Sequence, residues 1–250
     1  MFFNFFKKSI KKTETKNFKY SGRINPNDLK HRYKEHTEDE DLIAPTYVYI
    51  PELDKSIPQY APTVEGDPIG YNPSEDCNGH FMSSKFMPNN NCYAYSTLLA
   101  TNSFPQPGRK SGYDLPHPCT GEEVVHGAEL DGLINIGPGI EHIKKHQQES
   151  NEEGHYVALL ICPPDDDYGY NGDYHWVRCD DNVSFNKWSQ KDGGDQITNF
   201  DFEGKVISDP RAANWSVNQG RISSRNDNEL ITTYEFCTFM FVPKGKVDII

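Results

Sequence analysis

Cys92 follows three asparagines, Asn89-Asn90-Asn91, and opens the stretch Cys92-Tyr93-Ala94-Tyr95-Ser96-Thr97-Leu98-Leu99-Ala100-Thr101-Asn102. A thiol attacks as its thiolate, and a helix start favours that form through free backbone N–H groups and the positive end of the macrodipole. The same N–H groups suit the oxyanion of a tetrahedral intermediate. Such a nucleophile needs a base from another element and a third polar group to orient that base. His175, in Tyr174-His175-Trp176-Val177-Arg178-Cys179, is the candidate base. Gln190 and Asp209 compete as the orienting residue: Gln190 in Asn186-Lys187-Trp188-Ser189-Gln190, Asp209 in Ile207-Ser208-Asp209-Pro210-Arg211.

These residues need a helix laid on a sheet. The asparagines read as a turn and N-cap, and Ala94, Leu98 and Thr101 share one helical stripe, so a buried helix of about three turns is predicted from Cys92. Phe104-Pro105-Gln106-Pro107-Gly108 ends it. Residues 121–133 and 139–148 are predicted as second and third helices. The continuous apolar run at 156–162 predicts a central buried strand, stopped by Pro163-Pro164. Residues 174–179 alternate as a strand, 186–190 read as its hairpin partner, and 234–242 as a last strand. Helices first and antiparallel strands after give an α+β class. Residues 46–50 read as a short strand, and 51–88, with six prolines, as an extended wrapping loop. The predicted division is an N-terminal arm, 1–45, and one domain, 46–250.

Composition narrows the function. A formal net charge of −12 argues against nucleic acid as the main partner, since phosphate binding needs a basic face. The arm is uneven, with six lysines in residues 1–20 and then Glu38-Asp39-Glu40-Asp41. It reads as a disordered or docking segment, with a virion or other protein partner as one use. Its apolar-then-basic start reverses a secretory signal, and no apolar run approaches the ~18–20 residues of a membrane span. A cytoplasmic or virion-associated location is expected. No Cys-x-x-Cys occurs, so the six cysteines read as reduced thiols rather than a zinc site. His142 and His146 have i, i+4 spacing but lack the glutamate of a metalloprotease helix, and read as a solvated face. Asp165-Asp166-Asp167 with Asp173 lacks EF-hand spacing and reads as an acidic turn. Tyr168, Tyr170 and Tyr174 read as turn aromatics packing on the sheet. No cofactor or metal is expected.

Asn90-Asn91-Cys92-Tyr93-Ala94-Tyr95, followed by Phe104-Pro105-Gln106-Pro107-Gly108-Arg109, resembles a group of bacterial and bacteriophage proteins with an Asn-Cys-Tyr-x-Tyr motif. Asp173-Tyr174-His175-Trp176-Val177-Arg178, Trp188-Ser189-x-Lys191, Thr198-Asn199 and Ile207-Ser208-Asp209-Pro210-Arg211-Ala212-Ala213-Asn214 resemble its later blocks. The resemblance covers about residues 89–215, and the sequence departs from the group's pattern at Gln190, where a histidine is expected. The group is similar to the papain-like superfamily, NlpC/P60-like members included. The resemblance implies a nucleophile helix packed on an antiparallel sheet, with Cys92 attacking, His175 as base and a polar residue on the next strand. It implies hydrolysis of an amide bond (peptide, isopeptide or peptidoglycan stem peptide) through a thioester, without a cofactor. An added amine resolving that thioester would make the reaction a transfer. The alternative reading is a non-catalytic phage or virion-associated structural protein that keeps a hydrolase fold.

Overall fold

The computed structural model describes residues 46–59, 81, 86–195, 197–223 and 226–250. The predicted arm, Cys77 and His80 lie outside the described residues. Along the chain come β1 (Thr46–Ile50), β2 (Lys55–Gln59), α1 (Cys92–Thr97), α2 (Gly121–Leu130), β3 (Ile134–Gly137) and α3 (Ile140–Glu149). There follow β4 (Gly154–Cys162), β5 (Asp173–Cys179), β6 (Trp188–Lys191), β7 (Ile197–Thr198), β8 (Ser216–Ser223), β9 (Asn226–Thr233) and β10 (Glu235–Pro243). The class is α+β. Six strands form a sheet in the order β3-β10-β4-β5-β6-β7, antiparallel at every pairing. β1–β2 and β8–β9 are separate hairpins.

β4 is apolar at every turn of the pleat because both faces of the sheet are covered. Val157 and Leu159 pack with Tyr93, Val124, Ala128, Trp176 and Met240 under α1 and α2. Tyr156, Ala158, Leu160 and Cys162 face the other way, with Ile143 of α3, Val177, Phe185, Trp188, Ile207, Trp215, Tyr234 and Phe239. α2 starts at a capping box: Thr120 Oγ1 accepts from the Glu123 N–H, and the Glu123 carboxylate accepts from the Thr120 N–H.

α1 is six residues long, not three turns. Leu98 turns left-handed (φ 61°), and its N–H and that of Leu99 close back on Tyr95 O and Ala94 O. That is the C-cap that normally takes glycine. A leucine there costs about 1–2 kcal/mol, offset because all six helical residues are buried. The Ser96 and Thr97 hydroxyls also donate back into the helix, to Tyr93 O. Beyond it, Gly108 (φ 78°) lets the Gln-Pro-Gly turn touch α2, where a Cβ on Gly127 would lie 2.7 Å from Pro107 O. Among the described residues no helix is long and apolar enough to cross a membrane.

Candidate functional site

Asparagine amides build the entry to α1. Asn91 caps the helix, its Oδ1 accepting from the Ala94 N–H at 3.1 Å while its Nδ2 donates to Pro105 O at 2.8 Å. Asn90 donates to Phe86 O and to Asn102 Oδ1, both at 2.7 Å, and accepts from the Asn102 N–H at 3.0 Å. The segments before and after α1 are thereby tied together, with Cys92 in the first helical position. Both N–H groups of the Asn90 amide are spent in these bonds, so it is no free donor for an oxyanion. At the other end, His155 Nε2 donates to Ser96 O at 2.6 Å. Burial holds His155 down to about 4, so its ring is neutral there. α1 is fastened sideways by the Tyr95 hydroxyl on Ser189 Oγ and by the Arg178 guanidinium 4.6 Å over the Tyr95 ring. Arg178 itself is buried against Asp180 at 2.6 Å.

The pleat of β5 divides the predicted site. Tyr174 and Trp176 belong to the core that holds Cys92. His175 points the opposite way, its ring about 6 Å from those of Phe202, Trp215 and Tyr234. β6 pairs with β5 only from Val177–Gln190 to Cys179–Trp188. The Trp176 backbone beyond that ladder meets the Cys92 sulfur, and its N–H favours the thiolate. Cys92 therefore meets β5 at the Trp176 backbone while the His175 side chain lies on the other face of the strand, and the hydrogen bond that His175 makes goes to Gln190. His175 Nε2 lies 2.7 Å from Gln190 Oε1, and Gln190 Nε2 donates to Phe200 O at 2.7 Å. Because the amide N–H is spent on Phe200, its oxygen faces the ring and Nε2 must carry the proton. Nδ1 is then left as the basic nitrogen.

Gln190 and Asp209 are separated by the same geometry. Asp209 grips Arg211, with Oδ2 2.6 Å from the guanidinium, and its carboxyl sits below the usual carboxylate range as a result. The side chain hydrogen-bonded to His175 is Gln190.

Among known proteins, the chain is 35% identical over 124 residues to the "Insoluble matrix shell protein 1" of Ruditapes philippinarum, a stretch that is 50% of this chain and 70% of that protein. The chain belongs to that shell matrix protein family. No family model matches it, and no solved structure does.

In this member of the shell matrix protein family the site rests in its neutral form. Burial, with Asp173 adding to it, pushes the Cys92 thiol up to about 12. Burial likewise lowers His175 from its ordinary value, partly opposed by the negative Asp192. Asp173, raised to about 6 by burial, accepts from the Tyr234 hydroxyl at 3.0 Å. The Tyr174 hydroxyl donates to Gln106 Oε1 of the Gln-Pro-Gly turn. Of the tyrosines read as packing aromatics, Tyr174 and Tyr170 do pack on the sheet, while Tyr168 is half-buried and belongs to neither of those core clusters.

Two contributors were given no role from the sequence. Lys191 is wholly buried beside Cys92, though the pattern Trp188-Ser189-Gln190-Lys191 already places a lysine on the helix-covered face. Asp192, the next residue, acts on Cys92, His175 and Asp173. His142 and His146 serve the fold. His142 Nδ1 accepts from the Gly139 N–H, and His146 Nδ1 meets the Tyr156 hydroxyl at 3.0 Å. Among the described residues no group of His, Cys, Asp or Glu is placed to hold a metal ion.

Proposed function

We propose that residues 46–250 form a papain-like cysteine hydrolase that cleaves an amide bond through a thioester on Cys92. The observation that carries this reading is the His175–Gln190 pair. A neutral amide fixes the ring in the tautomer whose Nδ1 is basic, at the residue preceding the N–H that meets the Cys92 sulfur. Gln190 takes the orienting role, which leaves Asp209 outside the site.

In the proposed reaction His175 Nδ1 takes the thiol proton as the sulfur attacks the carbonyl carbon. The Cys92 N–H, which the Asn91 cap does not occupy, steadies the oxyanion. The imidazolium then gives its proton to the leaving amine, and the C–N bond breaks. Water, deprotonated by the same nitrogen, attacks the thioester; the acid departs and the thiol is restored. Because the resting thiol is protonated, proton transfer accompanies attack. Peptide, isopeptide or peptidoglycan stem-peptide bonds are the proposed substrates.

A second reading is supported by the thiol that rests near 12 and by the shell matrix relative. It is a non-catalytic matrix or structural role on the same fold. Alkylation mapped by mass spectrometry separates the two. At pH 8 Cys92 should react faster than Cys119, Cys162 and Cys179, and His175→Ala should slow it at least about tenfold. Cys92→Ala should abolish hydrolysis across a peptide and peptidoglycan panel. If Cys92 is no more reactive than the other buried thiols and the panel shows no hydrolysis by the native chain, the non-catalytic reading stands.

A further inference from the structure

Lys191 Nζ donates to three backbone carbonyls: Met87 O at 2.6 Å, Asn90 O at 2.6 Å and Gly193 O at 2.8 Å. None of these acceptors is a carboxylate, so the side chain is no ordinary ion pair. Two of the carbonyls belong to the turn Met87–Asn89 and to Asn90, the residues that lead into Cys92. The third belongs to the chain leaving β6, the strand that carries Gln190. One nitrogen thus joins the nucleophile's approach to the strand that orients the base.

We propose that Lys191 is the positioning residue of this site: its ammonium pins the turn that delivers Cys92 and stands as the fixed counter-charge of the thiolate.

The inference rests on Cys92 as the nucleophile. Its charge state follows from geometry. Three carbonyls at these distances require three N–H donors, which only the ammonium has. Burial pulls the group down to about 7, and Asp195, Cys92 and Asp192 act in the opposite sense. Three charge-assisted bonds hold the proton against that desolvation. The groups acting on the Cys92 sulfur are Asp173 and Asp192, which oppose its ionisation, and the Trp176 N–H and Lys191, which favour it. Lys191 is the one full positive charge among these four. A thiolate formed during attack would otherwise face two carboxylates.

The test uses the full chain and the pH profile of Cys92 alkylation by iodoacetamide, read by peptide mapping from pH 6 to 10. In Lys191→Met, with folding checked by near-ultraviolet circular dichroism, the rate at a given pH should fall at least about tenfold. Because the thiol titrates above this range, the rate climbs steadily with pH, and that rising line should move about one pH unit to the alkaline side, the equivalent of that factor. Lys205→Met, which removes a surface lysine paired with Glu203, should keep the native profile. A folded Lys191→Met protein with an unchanged profile overturns the proposal. If Lys191→Met does not fold, Cys92→Asp and Cys92→Asn both retain the lysine, and 15N spectroscopy at Nζ compares its titration in the two. The Asp variant should titrate at least about one unit higher, and equal values overturn the proposal. Neither measurement needs a substrate. Absence of hydrolysis would sink the enzymatic reading and leave this test intact.

Discussion

Removing the Gln190 side chain isolates the feature on which the proposed chemistry depends. Gln190 is 1% exposed and makes two hydrogen bonds of 2.7 Å, accepting from His175 Nε2–H and donating to Phe200 O. Gln190→Ala leaves a buried imidazole N–H without its acceptor, at about 1–3 kcal/mol, and takes a donor from a half-buried carbonyl, at about 1 kcal/mol. The expected loss is about 2–4 kcal/mol, read as a lower urea midpoint with an unchanged slope. For a chain of this size that is a fall in Tm of roughly 4–16 °C. The second readout is the tautomer. In the native chain 15N shifts of His175 should report protonated Nε2 and bare Nδ1; in the variant the two forms should mix. Alkylation of Cys92 should slow as the fraction with basic Nδ1 falls. A loss below about 0.5 kcal/mol with an unchanged tautomer would refute the claim that Gln190 orients the ring.

Asp180→Ala strands the buried Arg178 guanidinium that also lies over Tyr95, and should cost about 3–5 kcal/mol in denaturant unfolding. Thr120→Ala removes the capping box of α2 and should cost about 1 kcal/mol in the same assay. Asp131, which accepts from the Tyr93 hydroxyl and the Gly108 N–H, is raised to about 7 by burial. A raised carboxyl holds its proton more tightly folded than unfolded, so its contribution is full below the unfolded value and is lost as pH climbs to about 7. The urea midpoint should therefore carry a decline between about pH 4 and 7 that Asp131→Asn removes. His155, lowered to about 4, has the opposite sign: its contribution is present above the unfolded value near 6.5 and disappears as pH falls toward 4. His155→Gln should flatten that acid limb.

Elements with strong patterns were legible in the sequence. The continuous run at 156–162 lies within β4, the alternation at 174–179 within β5, and the Pro-Gly turn before 139 precedes α3. Propensity failed where tertiary contacts decide. Leu98 in a left-handed cap ends α1 early, and no local code marks a leucine for that place. β3 follows α2 after a short turn and takes its register from β10, a partner distant in sequence. The polar hairpin β8–β9, written Ser-Val-Asn-Gln-Gly-Arg-Ile-Ser on one side, lacks the apolar alternation that marks a half-buried strand. At the site, residue types suggested Cys92, His175 and Gln190. Which face each occupies follows from the pleat and register of β4, β5 and β6, and the register is set by the fold as a whole.

The asparagine framework around Cys92 has a consequence for the solution conditions in which the site keeps its shape. Asn90, Asn91 and Asn102 join the strands of chain around α1 through uncharged amides buried from water. Dissolved ions weaken attraction between exposed charges over about 8–10 Å, but they do not act on dipoles sealed inside a protein. The backbone that presents Cys92 should thus be as well formed in concentrated brine as in dilute buffer. Salt would be felt outside this frame, in the approach of charged molecules to a chain carrying a formal −12.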